Sequence, residues 1–193
     1  MRLLPFLLLL FVFTGFTSCS NDDEASPRLE NESNLTLSLN GEETTYRFAY
    51  RTELTNANSS PGSIAPFVQS FLLTANDVFQ DGEFRGVSDA IVLTLGRQTN
   101  RPIIDFRWDI DDNRNFALNN GETYFVHFTG YEDYDFETGE STDLFTLAGG
   151  VMLINAESED ARTTIYFDAD FRDDKLEGSW TGNFEETEFP FLN

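Results

Sequence analysis

The sequence predicts an all-β chain folded as a single antiparallel β-sandwich of about nine strands, with a closed lipocalin-like barrel as the alternative. Three observations predict it. Apolar and polar residues alternate in several separate stretches, the pattern of strands with one buried face. The chain carries 20 Phe, 6 Tyr and 2 Trp, bulky residues that favour strands and fill the space between sheets. No stretch has the period of a long amphipathic helix.

The elements follow in order. Leu35, Leu37 and Leu39 alternate with polar residues. Asn40-Gly41 comes next, a two-residue turn signal because both positions favour positive φ. Thr44, Tyr46, Phe48 and Tyr50 then alternate with Thr45, Arg47, Ala49 and Arg51, which predicts one returning strand over 44–50 and an opening hairpin. Residues 54–66 have loop composition. Residues 67–74 are apolar and fit either a strand, the preferred reading, or a short helix; 76–86 read as a loop, and Ile91, Leu93 and Leu95 mark another strand.

From Pro102 the alternation is clean, with Ile104, Phe106, Trp108 and Ile110 on one face and Asp105, Arg107 and Asp109 on the other. Residues 111–120 are expected to turn, closing with Asn120-Gly121, and 124–129 to form a strand aromatic on both faces. An acidic loop is expected over 131–143. Strands are predicted over 144–148 and 151–154, separated by Gly149-Gly150; the second is apolar at successive positions and so central, covered on both faces. Ile165, Phe167, Ala169 and Phe171 point inward from a strand over 163–171. A last strand places Leu176, Trp180 and Phe184 on one face, with Gly178 and Gly182 between them for the close approach of a backbone or a ring.

The amino terminus reads as an address. Arg2 precedes an apolar run over 3–13, the length of a signal-peptide core and too short to span a bilayer. Thr17 and Ser18 then lead to Cys19, the only cysteine, so no intramolecular disulfide can form. Small residues before a lone cysteine resemble a bacterial lipobox, with Phe16 where Leu is usual; the resemblance implies that Cys19 becomes the first mature residue and is acylated. One acyl chain binds a membrane marginally and two or more hold it stably, at about 0.8 kcal/mol per buried methylene. The expected organisation is a signal peptide over 1–18, the lipidated cysteine and a flexible acidic tether over 19–33, and a β-rich domain over 34–193.

Charge narrows the partners. The formal net charge is −22, with 12 basic and 34 acidic residues, and Lys175 is the only lysine. Such a surface repels nucleic acid and anionic headgroups and suits cationic partners or divalent ions.

Several groupings could carry chemistry. Asp109, Asp111 and Asn113 match the start of a calcium loop, but Arg114 and Asn120 stand where its glycine and bidentate glutamate belong, so this is no EF-hand. Asp111, Asp112 and Asn113 remain candidate calcium ligands, as do Glu132, Asp133 and Asp135 in the acidic segment, because hard cations need clustered oxygens; a solvated acidic turn is the plainer reading. Tyr131 and Tyr134 could clamp a ligand. His127 is the only histidine, which leaves a triad resting on it alone. Asp168 and Asp170 share a strand face and could act as a glycosidase pair if a cleft held them. Trp108 and Trp180 could stack sugars but lie in phase with aliphatic neighbours, as core residues do.

The lipobox, the acidic Ser20-Asn21-Asp22-Asp23-Glu24, the hairpin LTLSLNGEETTYRF and the closing segments TTIYFDADF and KLEGSWTGNF together resemble the small β-rich surface lipoprotein domains of Bacteroidota. That resemblance implies a β-sandwich at the cell envelope and brings no catalytic residue. The expected protein is an outer-membrane lipoprotein, surface-exposed or alternatively periplasm-facing. Acyl chains on Cys19 would hold it to the membrane, as a non-catalytic domain that binds an extracellular glycan or protein. A carboxylate-dependent hydrolase acting on glycans and a structural accessory subunit of an outer-membrane complex are the alternatives.

Overall fold

The computed structural model describes residues 32–39, 42–52, 55–56, 67–98, 105–110, 116–119, 122–156, 162–171 and 173–189. Cys19, Asp111, Asp112 and Asn113 lie outside them, as do the address segment and most of the tether. The described chain is all β. In order come β1 (Glu32–Ser33), β2 (Thr36–Leu39), β3 (Glu42–Thr45), β4 (Phe48–Arg51), β5 (Thr55–Asn56), β6 (Phe67–Thr74), β7 (Phe79–Gln80), β8 (Glu83–Phe84) and β9 (Val87–Arg97). Then follow β10 (Asp105–Ile110), β11 (Phe116–Asn119), β12 (Glu122–Asp135), β13 (Asp143–Phe145), β14 (Gly149–Ala156), β15 (Thr163–Phe171), β16 (Asp174–Gly182) and β17 (Glu185–Glu186).

Two sheets face each other. The first runs β10-β14-β15-β16-β2-β3, with β1 also paired to β16. The second runs β11-β12-β9-β6-β4-β17, with β13 on β12 and β5 on β6. Pairing is antiparallel throughout except for the two-residue contact of β17 with β4. The sheets do not close into a barrel, so the sandwich describes the chain and the lipocalin-like alternative does not.

One core lies between the sheets. Leu37, Trp108, Met152, Ile165, Phe167 and Trp180 come from the first sheet; Phe71, Leu73, Ile91, Leu93, Leu95 and Val126 come from the second. Full burial of each such side chain contributes about 1.5–3 kcal/mol. A second core covers the outer face of the second sheet. There Tyr50, Leu72, Val92 and Tyr134 pack beneath Val78, Phe136 and Phe189. The hairpin β7–β8 roofs it, with the Phe84 ring 5.3 Å from Tyr50 and 5.6 Å from Phe136.

The expected hairpin strand over 44–50 is in fact two strands in different sheets. Tyr46 and Arg47 break the run: the Tyr46 N–H donates to the Leu35 carbonyl in the first sheet, and the Arg47 N–H donates to the Thr74 carbonyl in the second. The chain therefore crosses the sandwich here, as strands at sandwich corners do. The crossing reverses the phase. Tyr46 lies in the inter-sheet core, whereas Phe48 and Tyr50 belong to the outer one.

The acidic stretch expected as a loop over 131–143 begins as strand, because β12 continues to Asp135. Tyr131 pairs with Ala90 and Tyr134 with Ser88, so one extra residue bulges from β12. Residues 76–86, expected as a loop, contain β7–β8; Asp81 (φ 52°) and Gly82 (φ 82°) make the tight turn that Asp-Gly favours. The expected turn over 111–120 likewise holds β11, paired with β12 around Asn120-Gly121. Of the strand expected over 144–148 only the start is extended, within β13. β14 is central, between β10 and β15, but Val151 and Leu153 are only half-buried, so its outer face is not fully covered. Glu32 and Ser33, expected within the tether, pair with Thr181 and Trp180 of β16.

Candidate functional site

A cleft of about 400 Å³ opens where the chain crosses between the sheets, within the range of small-ligand sites. Five segments contribute to it. Glu43 and Thr44 belong to β3, and Arg47 to the crossover. Asn76 follows β6, Asp89 lies near the start of β9, and Asp133 sits in the bulge of β12.

Strand phase explains why a carboxylate stands here. Ile91, Leu93 and Leu95 point from β9 into the inter-sheet core, and Asp89 is the preceding residue in that row. It therefore faces the opposite sheet at the core's open edge, half-buried. Thr44 is opposite core residue Leu37 in the β2–β3 ladder and shares its face. The two meet across the sandwich: Thr44 Oγ1 donates to Asp89 Oδ2 at 2.8 Å. Asp89 Oδ1 accepts from the Asp133 N–H at 3.0 Å. That amide is turned toward Asp89 where the bulge gives Asp133 a φ of 46°. Each Asp89 oxygen thus holds one hydrogen bond and keeps a second lone pair for an incoming donor.

The walls are pinned as well. The Ser88 hydroxyl is buried; it accepts from the Ala75 and Asn76 N–H groups at 3.1 and 3.0 Å and donates to the Asp89 carbonyl at 2.8 Å. Asn76 Nδ2 donates to the Val87 carbonyl at 3.1 Å. The Arg47 carbonyl accepts from Trp180 Nε1 at 3.1 Å, tying the crossover to the core.

Between the lining residues Thr45 and Arg47 stands Tyr46, fully buried in the inter-sheet core, with a hydroxyl that has no hydrogen-bond partner. Burial pushes its phenol far above the ordinary value, and the charges of Asp89 and Glu132 push it further in the same direction. A buried hydroxyl left unsatisfied costs about 1–3 kcal/mol.

The structure splits the candidates in the acidic segment. Asp133 lines the cleft, and half-buried Glu132 acts on Tyr46 from beside it. Asp135 is committed to a turn: its Oδ1 accepts from the N–H groups of Glu137 and Thr138 at 2.8 and 3.2 Å, which lowers its carboxyl below the usual range. Among the described residues no three His, Cys, Asp or Glu side chains converge to hold a metal ion, so Glu132, Asp133 and Asp135 do not form a calcium site by themselves. Tyr131 and Tyr134 touch edge to face, with ring centroids 4.9 Å apart and an interplanar angle of 63°. Each ring fills the space beside the other, and Tyr134 is buried in the outer core. They support the sheet rather than flank a gap.

The remaining groupings fall elsewhere. His127 is exposed, its Nε2 3.3 Å from Thr129 Oγ1. Asp168 Oδ1 pairs with Lys175 Nζ at 2.8 Å, and Lys175 also reaches Glu177 at 3.0 Å. Trp108 and Trp180 are core residues.

The sequence did carry a signal for Asp89. In SDAIVLTL it is the charged residue in phase with three core-facing apolar positions, which marks either a strand end or a built site. Compared with known proteins, the chain matches no family model, no curated protein and no solved structure.

Proposed function

We propose that this chain is a lipid-anchored cell-envelope protein whose β-sandwich is a non-catalytic binding domain. Acyl chains on Cys19 would hold it at the outer membrane, and the cleft around Asp89 would capture an extracellular ligand, either a small molecule or an exposed group of a glycan or protein. The anchor rests on the apolar run over 3–13 and the small residues before Cys19. The binding role rests on one observation above the others. Asp89 is held by Thr44 from the facing sheet and by the Asp133 amide from the bulge, so its carboxylate is oriented before any ligand arrives.

The hydrolase alternative draws less support. The Asp168 carboxylate is engaged by Lys175. Asp89 accepts a hydrogen bond at both oxygens, which suits a charged acceptor better than an acid that donates a proton.

Two measurements test this reading. Cells expressing the protein and fed labelled palmitate should label it, and Cys19→Ala should abolish the label and move the protein out of the membrane fraction. Thermal unfolding against a panel of glycans, amines and peptides should then show a ligand-dependent rise that Asp89→Asn removes. Unlabelled protein would end the anchoring claim. A panel response that Asp89→Asn leaves intact would end the assignment of the cleft.

A further inference from the structure

We propose that Arg97 anchors a second binding site, separate from the Asp89 cleft, that takes a carboxylate carried on an apolar body. Ile91, Leu93 and Leu95 face the inter-sheet core from β9, and Arg97 is the next residue in that row. Asp89 stands at one end of the row and Arg97 at the other, roughly 26 Å apart at about 3.3 Å per residue. β9 ends at Arg97 and β6 begins at half-buried Phe67, so the row reaches the edge of the sandwich there.

The guanidinium is buried without a counter-charge. Arg97 is 1% exposed, and its Nε and Nη2 hydrogen-bond to nothing. Among the described residues it makes no ion pair. Arginine stays protonated in proteins, so it cannot shed the charge as a buried lysine can. Leaving a buried charge unpaired is strongly unfavourable. Water satisfies the two bonds and leaves the charge uncompensated. The chain on either side of the β6–β9 pairing brings no acid of its own: neither 57–66, which lead into Phe67, nor 98–104, which follow Arg97, contain Asp or Glu.

The two unpartnered atoms specify the anion. Nε–H and Nη2–H are the parallel donors on one edge of the guanidinium, spaced to bond both oxygens of one carboxylate. A phosphate brings further oxygens and charge that a single guanidinium leaves unmet. The neighbours specify the body. Phe67 pairs with Arg97 across the β6–β9 ladder. Phe125 pairs with Gly96, so Tyr124 comes next along β12 as Arg97 does along β9. The Tyr124 ring meets Phe106 of the first sheet edge to face, with centroids 5.1 Å apart. The net charge of −22 repels anions at long range, so the ligand needs the further gain of burying apolar surface, which a small inorganic anion lacks.

The test is calorimetric titration of the full-length protein in a non-ionic detergent with sodium hexanoate. The controls are 1-hexanol, which lacks the charge, and sodium phosphate, which lacks the apolar body. Hexanoate should bind, and both controls should bind about tenfold more weakly or not at all. Arg97→Lys keeps the charge and loses the fork, and should weaken hexanoate about tenfold or more. Arg97→Met removes the charge from a side chain of similar length. It should abolish binding and, without ligand, melt no lower than the wild type, because it deletes a buried charge that had no partner. Wild-type protein that ignores hexanoate, or that binds hexanol or phosphate as tightly, overturns the inference. An Arg97→Met or Arg97→Lys protein that binds hexanoate equally well overturns it too. So does an Arg97→Met protein that melts well below the wild type, since the charge would then already be compensated within the fold.

Discussion

Thr44 and Asp89 are 45 residues apart in the chain and are joined by a 2.8 Å hydrogen bond from one sheet of the sandwich to the other. The bond closes the edge of the inter-sheet core at the crossover and fixes the carboxylate that dominates the cleft. Replacing Thr44 by Val keeps the shape and removes the donor. The expected loss is about 1 kcal/mol of stability, read as a lower midpoint with an unchanged slope in urea. An equal loss in an Asp89→Asn background would show that the two residues do not act together.

Gly178 should tolerate no side chain. Its φ is 106°, and a Cβ there would lie 2.1 Å from the Asn34 carbonyl oxygen, a backbone atom with no easy retreat. Asn34 is tied to the same place by its N–H to the Ser179 carbonyl at 2.9 Å and by its Oδ1, which accepts from the Ser179 N–H at 2.7 Å. Gly178→Ala should cost about 2–3 kcal/mol in equilibrium unfolding. Gly82→Ala, at the exposed turn between β7 and β8 where a Cβ meets nothing within 4 Å, should cost only about 1 kcal/mol.

Asp135 links stability to acid. Its folded carboxyl lies below the ordinary range because two backbone N–H groups bond the charged form. Its stabilisation is therefore present above the unfolded value of about 3.9 and is lost as pH falls through the lower folded value. Asp135→Ala should lower the melting temperature at neutral pH, and the difference from wild type should shrink toward zero in strong acid. A difference that does not vary with pH would contradict the turn's dependence on the charge.

Tyr46 and Tyr50 should resist alkali. Burial raises both phenols; Asp89 and Glu132 add to this for Tyr46, and Asp77 does so for Tyr50, whose hydroxyl donates to Asp77 Oδ1 at 3.1 Å. Both favour the protonated form when folded, so their contribution is complete below the ordinary phenol value of about 10 and is lost as pH rises through the higher folded values. Tyr46 and Tyr50 should ionise only as the protein unfolds, seen as a delayed phase in ultraviolet titration. Tyr50→Phe should remove part of that phase.

The parts of this fold that could be foreseen are those where one strand keeps one phase. Phe106, Trp108 and Ile110 are buried and Asp105, Arg107 and Asp109 exposed, as their alternation requires. Leu39 pairs with Glu42 across Asn40-Gly41, the two-residue register that such a turn imposes. Gly178 does admit a neighbouring backbone. What alternation hides is a change of phase. Tyr46 and Phe48 are in step in the sequence, yet they point into different cores because the chain changes sheets at Arg47. Tyr131 and Tyr134, three apart, would sit on opposite faces of a regular strand; the extra residue in the bulge puts both on the outer core. The cleft lies at these two irregularities, which is why Asp133 was foreseeable as a surface acid and Asp89 as a charge in phase with core positions, while their meeting with Thr44 was not. Their proximity depends on which sheet each strand joins.

If an oriented Asp89 makes the crossover cleft a binding site, ligand stabilisation should depend on that carboxylate. The most direct test is thermal unfolding of wild-type and Asp89→Asn protein side by side against the same panel of amines, glycans and peptides. At least one compound should raise the melting temperature of the wild type and leave Asp89→Asn unmoved. Equal shifts in the two proteins would place the ligand elsewhere on the sandwich and contradict the claim.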